Sequence, residues 1–332
     1  MWKKIRYRLE YIGLLTGAWI VQCLPLSWLR PLGSFAGSVF FLFDSHRREV
    51  TLANLKAAFG EKFNRKQRWQ IARKSYGIFA TTVLELFWSP NLTSEVVQKI
   101  VTIEEVDSKP FHTTKGVSII YCCLHAGNFE WVAQLSGSYY SSPLSLIAQK
   151  FKNPLIGPLF DQWRSVTGNK IIPQERAMLK TLRNLKAGGK MGLLIDLNLK
   201  PHEGPVVIRC FGRLLVPVTK LPAELALRTG ATLVPVECLP RPQGGHHIRF
   251  LSPITITSES SVASITQACW DALEPQIQRH PELWLWSYKH WRYRPSQGES
   301  DYYPFYANCY DRFDKLLEEQ GAAFSPRELK RN

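Results

Sequence analysis

The chain has 332 residues, 45% of them hydrophobic and 21% charged, which excludes a disordered or low-complexity polypeptide. Forty-two Lys and Arg against 27 Asp and Glu leave a formal charge of +15, so an anionic partner is expected: a nucleic acid, an anionic membrane surface or a phosphorylated substrate. Seven scattered cysteines make no paired framework and no C-x-x-C, which sets aside a disulfide scaffold and fits reduced, buried thiols.

The basic residues are spread along the chain, and the longest purely basic runs are pairs such as Lys3-Lys4 and Arg47-Arg48. No zinc module or aromatic RNA-binding signature accompanies them, so nucleic acid is not expected as a partner. Eleven tryptophans mixed with Lys and Arg suit a protein at a lipid headgroup layer. Residues 11–29 carry no charge, a length just able to cross a bilayer core of about 30 Å, and a shorter uncharged stretch covers 31–43. Pro25 would kink a continuous helix. Positive residues flank the stretch on both sides, and its exit, Gln22-Cys23-Leu24-Pro25, lacks the small-residue pattern of a cleaved signal. Residues 1–48 therefore read as a membrane anchor, either one span or a kinked helix pair embedded in one leaflet; a buried helix hairpin is the alternative.

Farther on, Trp69, Ala72, Tyr76, Phe79, Ala80, Val83, Leu84 and Phe87 recur at helical steps and predict an amphipathic helix over 65–88. From about 117 short apolar runs (117–123, 144–148, 191–195, 232–236, 248–251) alternate with helical stretches (154–167, 174–187, 219–229). That alternation predicts an α/β fold, one mixed-sheet domain over 49–295 flanked by helices, with a hairpin where Gly212-Arg213 separates two β-like runs. Residues 296–332 form an aromatic and then charged tail with no functional reading.

The most informative segment is Cys122-Cys123-Leu124-His125-Ala126-Gly127-Asn128-Phe129-Glu130. A buried strand ends in a His, where ligands bind in open α/β sheets, and a Gly-Asn turn opens a helix. On a continuous helix His125 and Glu130 would stand about 140° apart, but a helix beginning near Asn128 lets the carboxylate reach back to the imidazole. Such a pair fixes one tautomer and stabilises the imidazolium formed in base catalysis, and the helix start offers N–H groups to an oxyanion. A satisfied structural His is the alternative. No G-x-S-x-G elbow is present, and Cys122 and Cys123 belong to the strand, so direct attack by a substrate hydroxyl on an activated acyl group is expected. His246-His247 reads as solvated loop, without the third ligand a metal would need.

His125-x-x-x-x-Glu130 resembles the H-x-x-x-x-D/E motif of the glycerolipid acyltransferase superfamily, and more narrowly of the bacterial lipid A late acyltransferases. Further blocks follow in order: Asn153-Pro154-Leu155 through Arg164 and Gly168; Gly192-Leu193-Leu194-Ile195-Asp196 with Phe211-Gly212; Leu225 to Ala231; and His280-Pro281-Glu282-Leu283-Trp284-Leu285-Trp286, ending His290-Trp291-Arg292. Asp196-Leu197-Asn198 departs from the family's usual D-Q.

The resemblance implies an O-acyltransferase acting at the cytoplasmic face of a bacterial inner membrane. It would move an acyl chain from an acyl carrier protein (or coenzyme A) thioester to a hydroxyl of an anionic glycolipid, in particular a lipid A precursor. Another polar lipid acceptor, such as a phosphoinositide mannoside or lysophospholipid, and an inactive membrane-bound homologue are the alternatives. His125 would be the general base and Glu130 its orienting acid. Arg164, Asp196 and Asn128 would bind substrate, Arg164 through a phosphate; a surface salt bridge, a loop cap and a helix cap are their structural readings. Trp284, Trp286 and Trp291 would line a lipid path or form a core cluster. A thiolate leaves readily and the hydroxyl needs only a base, so no metal or cofactor is expected.

Overall fold

A computed structural model describes residues 2–107, 116–148, 150–174, 177–296 and 300–321. Four helices come first: α1 (Trp2–Gln22), α2 (Leu26–Phe43), α3 (Ser45–Phe59) and α4 (Arg65–Trp88). Then come α5 (Ser94–Ile100), β1 (Val101–Glu105), β2 (Ile119–Cys123), α6 (Phe129–Tyr139), β3 (Ser145–Ala148) and α7 (Gly157–Arg164). They are followed by β4 (Lys170–Pro173), α8 (Ala177–Lys186), β5 (Lys190–Leu194) and the antiparallel hairpin β6 (Val206–Cys210) and β7 (Leu214–Val218). The order closes with α9 (Leu221–Thr229), β8 (Thr232–Pro240), β9 (His246–Phe250), α10 (Val262–Arg279) and α11 (Asp311–Glu319). Of the helix expected over 174–187, residues 175 and 176 lie outside the described residues, as do 297–299 and 322–332 of the tail.

Seven strands form one sheet in the order β1-β9-β8-β2-β5-β3-β4, and every pairing in it is parallel except β8 with β9. The fold is thus the expected mixed α/β domain. Side chains of β2 alternate between two cores, as a strand's period of two requires. Ile120 and Cys122 join Leu193, Leu225, Leu233 and Trp270 on one face. Ile119 and Tyr121 join Val97, Trp131, Val234 and Ile248 on the other. A central strand buried on both sides ends firmly anchored, and its carboxyl end therefore carries a fixed residue into the crevice.

The helix expected over 65–88 forms at that range, yet its buried face is partly polar: beside Ala72 and Leu86 it holds hydroxyl and carboxyl side chains. Ser75, Thr82 and Glu85 are buried, whereas Trp69 and Phe79 are 37% and 41% exposed. The reason is packing on several sides at once: Ser75 Oγ donates to the Trp284 carbonyl (2.7 Å) and Thr82 Oγ1 to that of Gly127 (3.2 Å). These polar residues of α4 face the chain around the site, while Lys66, Arg73 and Lys74 of the same helix stay exposed.

At the amino terminus the uncharged stretch 11–29 does not make one helix, because the chain turns between Gln22 and Leu26. The arrangement is a helix pair, of which α2 alone is long and apolar enough to cross a membrane. Both helices are fastened to the domain. The Arg30 guanidinium donates to the carbonyls of Arg241 (2.6 Å) and Gly245 (3.2 Å), and the Trp88 indole donates to Leu24 (2.9 Å). Asn153 Nδ2 donates to the Tyr7 carbonyl and to Glu10 Oε2, each at 2.9 Å. The outer face stays apolar and uncovered, with Trp19, Phe35 and Phe43 at 65%, 71% and 82% exposure. Such a contiguous exposed apolar surface marks an interaction site.

The tail joins the domain through α11, whose Phe313 and Leu316 pack on Val207 and Leu215 of the β6–β7 hairpin. Trp284, Trp286 and Trp291 are fully buried beside Trp270 and Phe211, which makes them core. Burying each contributes about 1.5–3 kcal/mol or somewhat more for an indole.

Candidate active site

The turn between β2 and α6 is held from every side. Gly127 has φ +60°, and a Cβ there would lie 2.2 Å from the Cys238 carbonyl oxygen, so only glycine fits. Its N–H donates to the Leu283 carbonyl (3.0 Å), and the Leu285 N–H donates to the His125 carbonyl (3.0 Å). Asn128 is the N-cap of α6, its Oδ1 accepting from the Trp131 N–H (2.9 Å), while its Nδ2 donates to Glu85. Both ends of this amide are thus engaged within the fold. The cap expected as the structural reading of Asn128 is formed.

His125 meets a carboxylate, but a different one from that expected. Its Nδ1 lies 2.7 Å from Asp196 Oδ1, and its backbone N–H donates to Asp196 Oδ2 (3.0 Å). The Trp284 indole donates to the same Oδ2 (2.7 Å). The cause is strand register. β2 and β5 run parallel with Cys123 opposite Leu194, so residues two farther along, His125 and Asp196, come side by side. Burial would raise the Asp196 pKa, but the neighbouring His125 outweighs it by charge and hydrogen bond, with help from His290 and the Trp284 indole. The carboxyl is held down at about 2. An ionised Asp196 fixes Nδ1 as the protonated nitrogen, an assignment from the hydrogen-bond pattern, and leaves Nε2 to accept a proton. No protein partner for Nε2 occurs among the described residues.

Glu130, expected to orient His125, is engaged by Arg164 instead: Arg164 Nε donates to Oε2 (2.8 Å) and Nη2 to Oε1 (2.6 Å). This two-pronged pair joins the first turn of α6 to the last turn of α7, and the guanidinium also sits 5.5 Å from the Phe160 ring. Arg164 was expected to hold a phosphate; in the structure two of its donors are committed to Glu130. Asp196, expected to bind substrate, lies against His125.

Sequence reasoning gave His290 no role of its own, though it stood in the last family block. It is buried and stacked on Trp284, with ring centroids 3.8 Å apart, and its Nε2 lies 2.9 Å from the Leu285 carbonyl. Burial lowers its pKa to about 4, against the pull of Asp196, so it is neutral near pH 7. It backs the indole that backs the carboxylate. Cys123 is no nucleophile: burial, then the charge of Asp196, pushes its thiol far up.

His246 and His247 were read as solvated loop, and they part company. His247 is half-buried, its Nε2 3.0 Å from Glu104 Oε2. His246 is buried at the start of β9, with Nε2 2.9 Å from Glu85 Oε2. Burial alone would lower the His246 pKa, but the Glu85 carboxylate, followed by Cys238, raises it to about 10. A raised folded-state value stabilises fully below the ordinary value of 6.5, and the contribution disappears as pH climbs through about 10. The melting temperature of the wild type should therefore fall more steeply over that window than that of His246→Gln in the same detergent; parallel slopes would refute the assignment.

A family model described as bacterial lipid A biosynthesis acyltransferase matches residues 2–293. A phosphatidylinositol mannoside acyltransferase of Mycobacterium tuberculosis is 26% identical over 178 residues, which is 51% of this chain and 53% of that protein. The chain thus spans about half the length of that relative. The Mycolicibacterium smegmatis protein of the same name is 25% identical over 226 residues, 64% of this chain and 70% of that one. Among solved structures, the 1-acyl-sn-glycerophosphate (LPA) acyltransferase PlsC from Thermotoga maritima aligns with a TM-score of 0.37 and 12% identity, covering 77% of this chain and 99% of that one.

Proposed function

We propose a specific reaction for this chain, which belongs to the bacterial lipid A biosynthesis acyltransferase family: transfer of a fatty acyl group from a thioester to a hydroxyl of a glycolipid. The observation that carries the reading is the His125–Asp196 pair at the carboxyl edge of the sheet, with no partner for Nε2 among the described residues. His125 Nε2 takes the acceptor hydroxyl proton as the oxygen bonds to the thioester carbonyl carbon. Asp196 stabilises the imidazolium so formed. The N–H groups of Phe129 and Glu130, which open α6 and have no acceptor among the described residues, serve the developing oxyanion. When the C–S bond breaks, the proton passes from Nε2 to the leaving thiolate, and the enzyme is restored. In this mechanism the Glu130–Arg164 pair positions α6 and leaves the remaining guanidinium donors for an anionic group of the substrate.

The acceptor we favour is a lipid A precursor and the donor an acyl carrier protein thioester, both acidic partners for a chain of charge +15. The α1–α2 pair would lie in the headgroup region of one leaflet, at the cytoplasmic face of a bacterial inner membrane. Its apolar outer face and its basic start, Lys3, Lys4, Arg6 and Arg8, support that placement. A second acceptor, a phosphatidylinositol mannoside, is favoured by the names of the relatives that match.

The test is acyl transfer by the full chain in detergent, read by the mass gained by the lipid. Each acceptor is offered acyl carrier protein and coenzyme A thioesters, with His125→Ala alongside. Gain on the lipid A precursor from the carrier protein is the expected result. Gain only on the mannoside moves the acceptor to the second reading, and no gain on any lipid would sink the transferase.

A further inference from the structure

Glu85 and His246 form a buried carboxylate–imidazole pair that takes no part in the proton transfer. A buried polar pair is often no more stabilising than packed apolar residues of similar size, so stability alone does not explain these residues. Their position does. Glu85 reaches from α4 to accept from the side-chain amide of Asn128 and to pair with His246 Nε2 at 2.9 Å. Asn128 in turn caps α6. One face of α4 continues the contact: Thr82 Oγ1 donates to the Gly127 carbonyl (3.2 Å), and Ser89 Oγ accepts from the Trp131 indole (2.8 Å). Residues 82, 85 and 89 follow the spacing of a single helical stripe. The Trp131 ring meets the His246 ring edge-on at 5.7 Å, which closes the loop from β9 back to α6. A cleft of about 310 Å³ opens over the pair, lined by Arg30, Thr81, Gly127, Asn128 and His246 among others.

We infer that Glu85 and His246 are positioning residues for acyl transfer, acting through Asn128 to fix the turn that carries His125 and the N–H groups of the first turn of α6. The inference rests on the reading of His125 as the base. His246 orients Glu85, Glu85 orients Asn128, and Asn128 sets where α6 begins. None of the three need touch substrate. A misplacement of about 1 Å at a catalytic group is enough to cost on the order of 10²-fold in rate, which sets the scale of the effect.

The experiment compares kcat, KM for both substrates and melting temperature in four variants. Glu85→Leu/His246→Leu removes both charges together and so leaves no unpaired ion to unfold the domain. It should keep KM within about threefold while kcat falls about 10–100-fold. Asn128→Ser, which keeps a capping oxygen but loses the donor to Glu85, should reproduce that loss. Glu85→Gln keeps an acceptor for Asn128, and without the carboxylate that raises the His246 pKa, burial leaves the imidazole neutral, so kcat should recover to within about fivefold of wild type. His125→Ala is the fourth. If it still transfers, the base assignment fails whatever the others do. If it is inactive while the double Leu variant and Asn128→Ser keep wild-type kcat, or lose only KM, the positioning role is overturned and the base assignment stands. Should the double variant not fold, Asn128→Ser and Glu85→Gln decide by the same criterion.

Discussion

His125→Ala should lower kcat by about 10³–10⁴-fold, and Asp196→Asn by about 10²–10⁴-fold, with KM for either substrate little changed. The first removes the proposed proton acceptor. The second keeps the shape of the side chain but breaks the chemistry in two ways. Asp196 accepts three N–H groups, from His125 Nδ1, the His125 backbone and the Trp284 indole. An Asn offers one acceptor oxygen and an NH₂, so at least one donor then faces another donor in a buried site. It also has no charge with which to stabilise the imidazolium. Because the two residues act as a unit, the double variant should be no slower than His125→Ala alone. Glu130→Gln is the discriminating control. If Glu130 worked on the imidazole it would match Asp196→Asn, whereas a residue bound to Arg164 should alter kcat less. The rates are measured at saturating thioester and acceptor, and an Asp196→Asn enzyme within threefold of wild type would end the assignment.

The register that joins His125 to Asp196 explains what the sequence disclosed and what it withheld. The run around His125 showed a strand end, a glycine turn and a capping Asn, all local features, and each takes that form. Both Asp196 and its strand were also visible. Their neighbourhood was not, because local spacing pairs His125 with the nearest acid, Glu130. The contact with Asp196 depends on which strand lies beside β2, and that is a tertiary fact. Had β5 been placed beside β2, counting two residues past the last paired strand position would have found it. The same limit governed α4. Its length followed from periodicity, but periodicity assumes one core on one side. A helix packed against α2, the Trp284 segment and the catalytic turn buries Ser75, Thr82 and Glu85 because their polar atoms find partners there. His246 misled for a related reason: it follows a Gly-Gly turn, yet it is already the first residue of β9 and points into the core opposite Glu85.

Gly37→Leu should release α2 from the domain. A Cβ on Gly37 would lie 2.4 Å from the Tyr76 carbonyl carbon and oxygen and 2.5 Å from the Gly77 Cα, all backbone atoms of α4. At Gly33, one turn earlier, it would meet Thr81 Oγ1 at 2.2 Å and the Thr81 Cα at 2.6 Å. Backbone cannot rotate aside as a side chain can, so the helices must separate along the whole contact. The cost should exceed the usual 1–3 kcal/mol or so of overpacking, and the melting temperature should drop by about 5 °C or more. Gly13→Leu on α1 supplies the contrast, since nothing lies within 4 Å of its Cβ position, and exchanging an exposed helical Gly for Leu should if anything stabilise. Equal melting temperatures for the two variants would refute the close crossing. The crossing also bears on how the proposed enzyme would meet a bilayer. The close contact of α2 with α4 at Gly33 and Gly37, and its tie through Arg30 to the β8–β9 turn, support the proposed placement of the pair beside the domain in one leaflet. There α2 can lie in the interface with Phe35 and Phe43 toward the lipid, and α4 then links that plane directly to the turn carrying His125. Gly37→Leu should accordingly weaken transfer to a lipid in vesicles more than transfer to the same lipid in dilute detergent. A uniform loss in both would mean that the crossing only stabilises the fold.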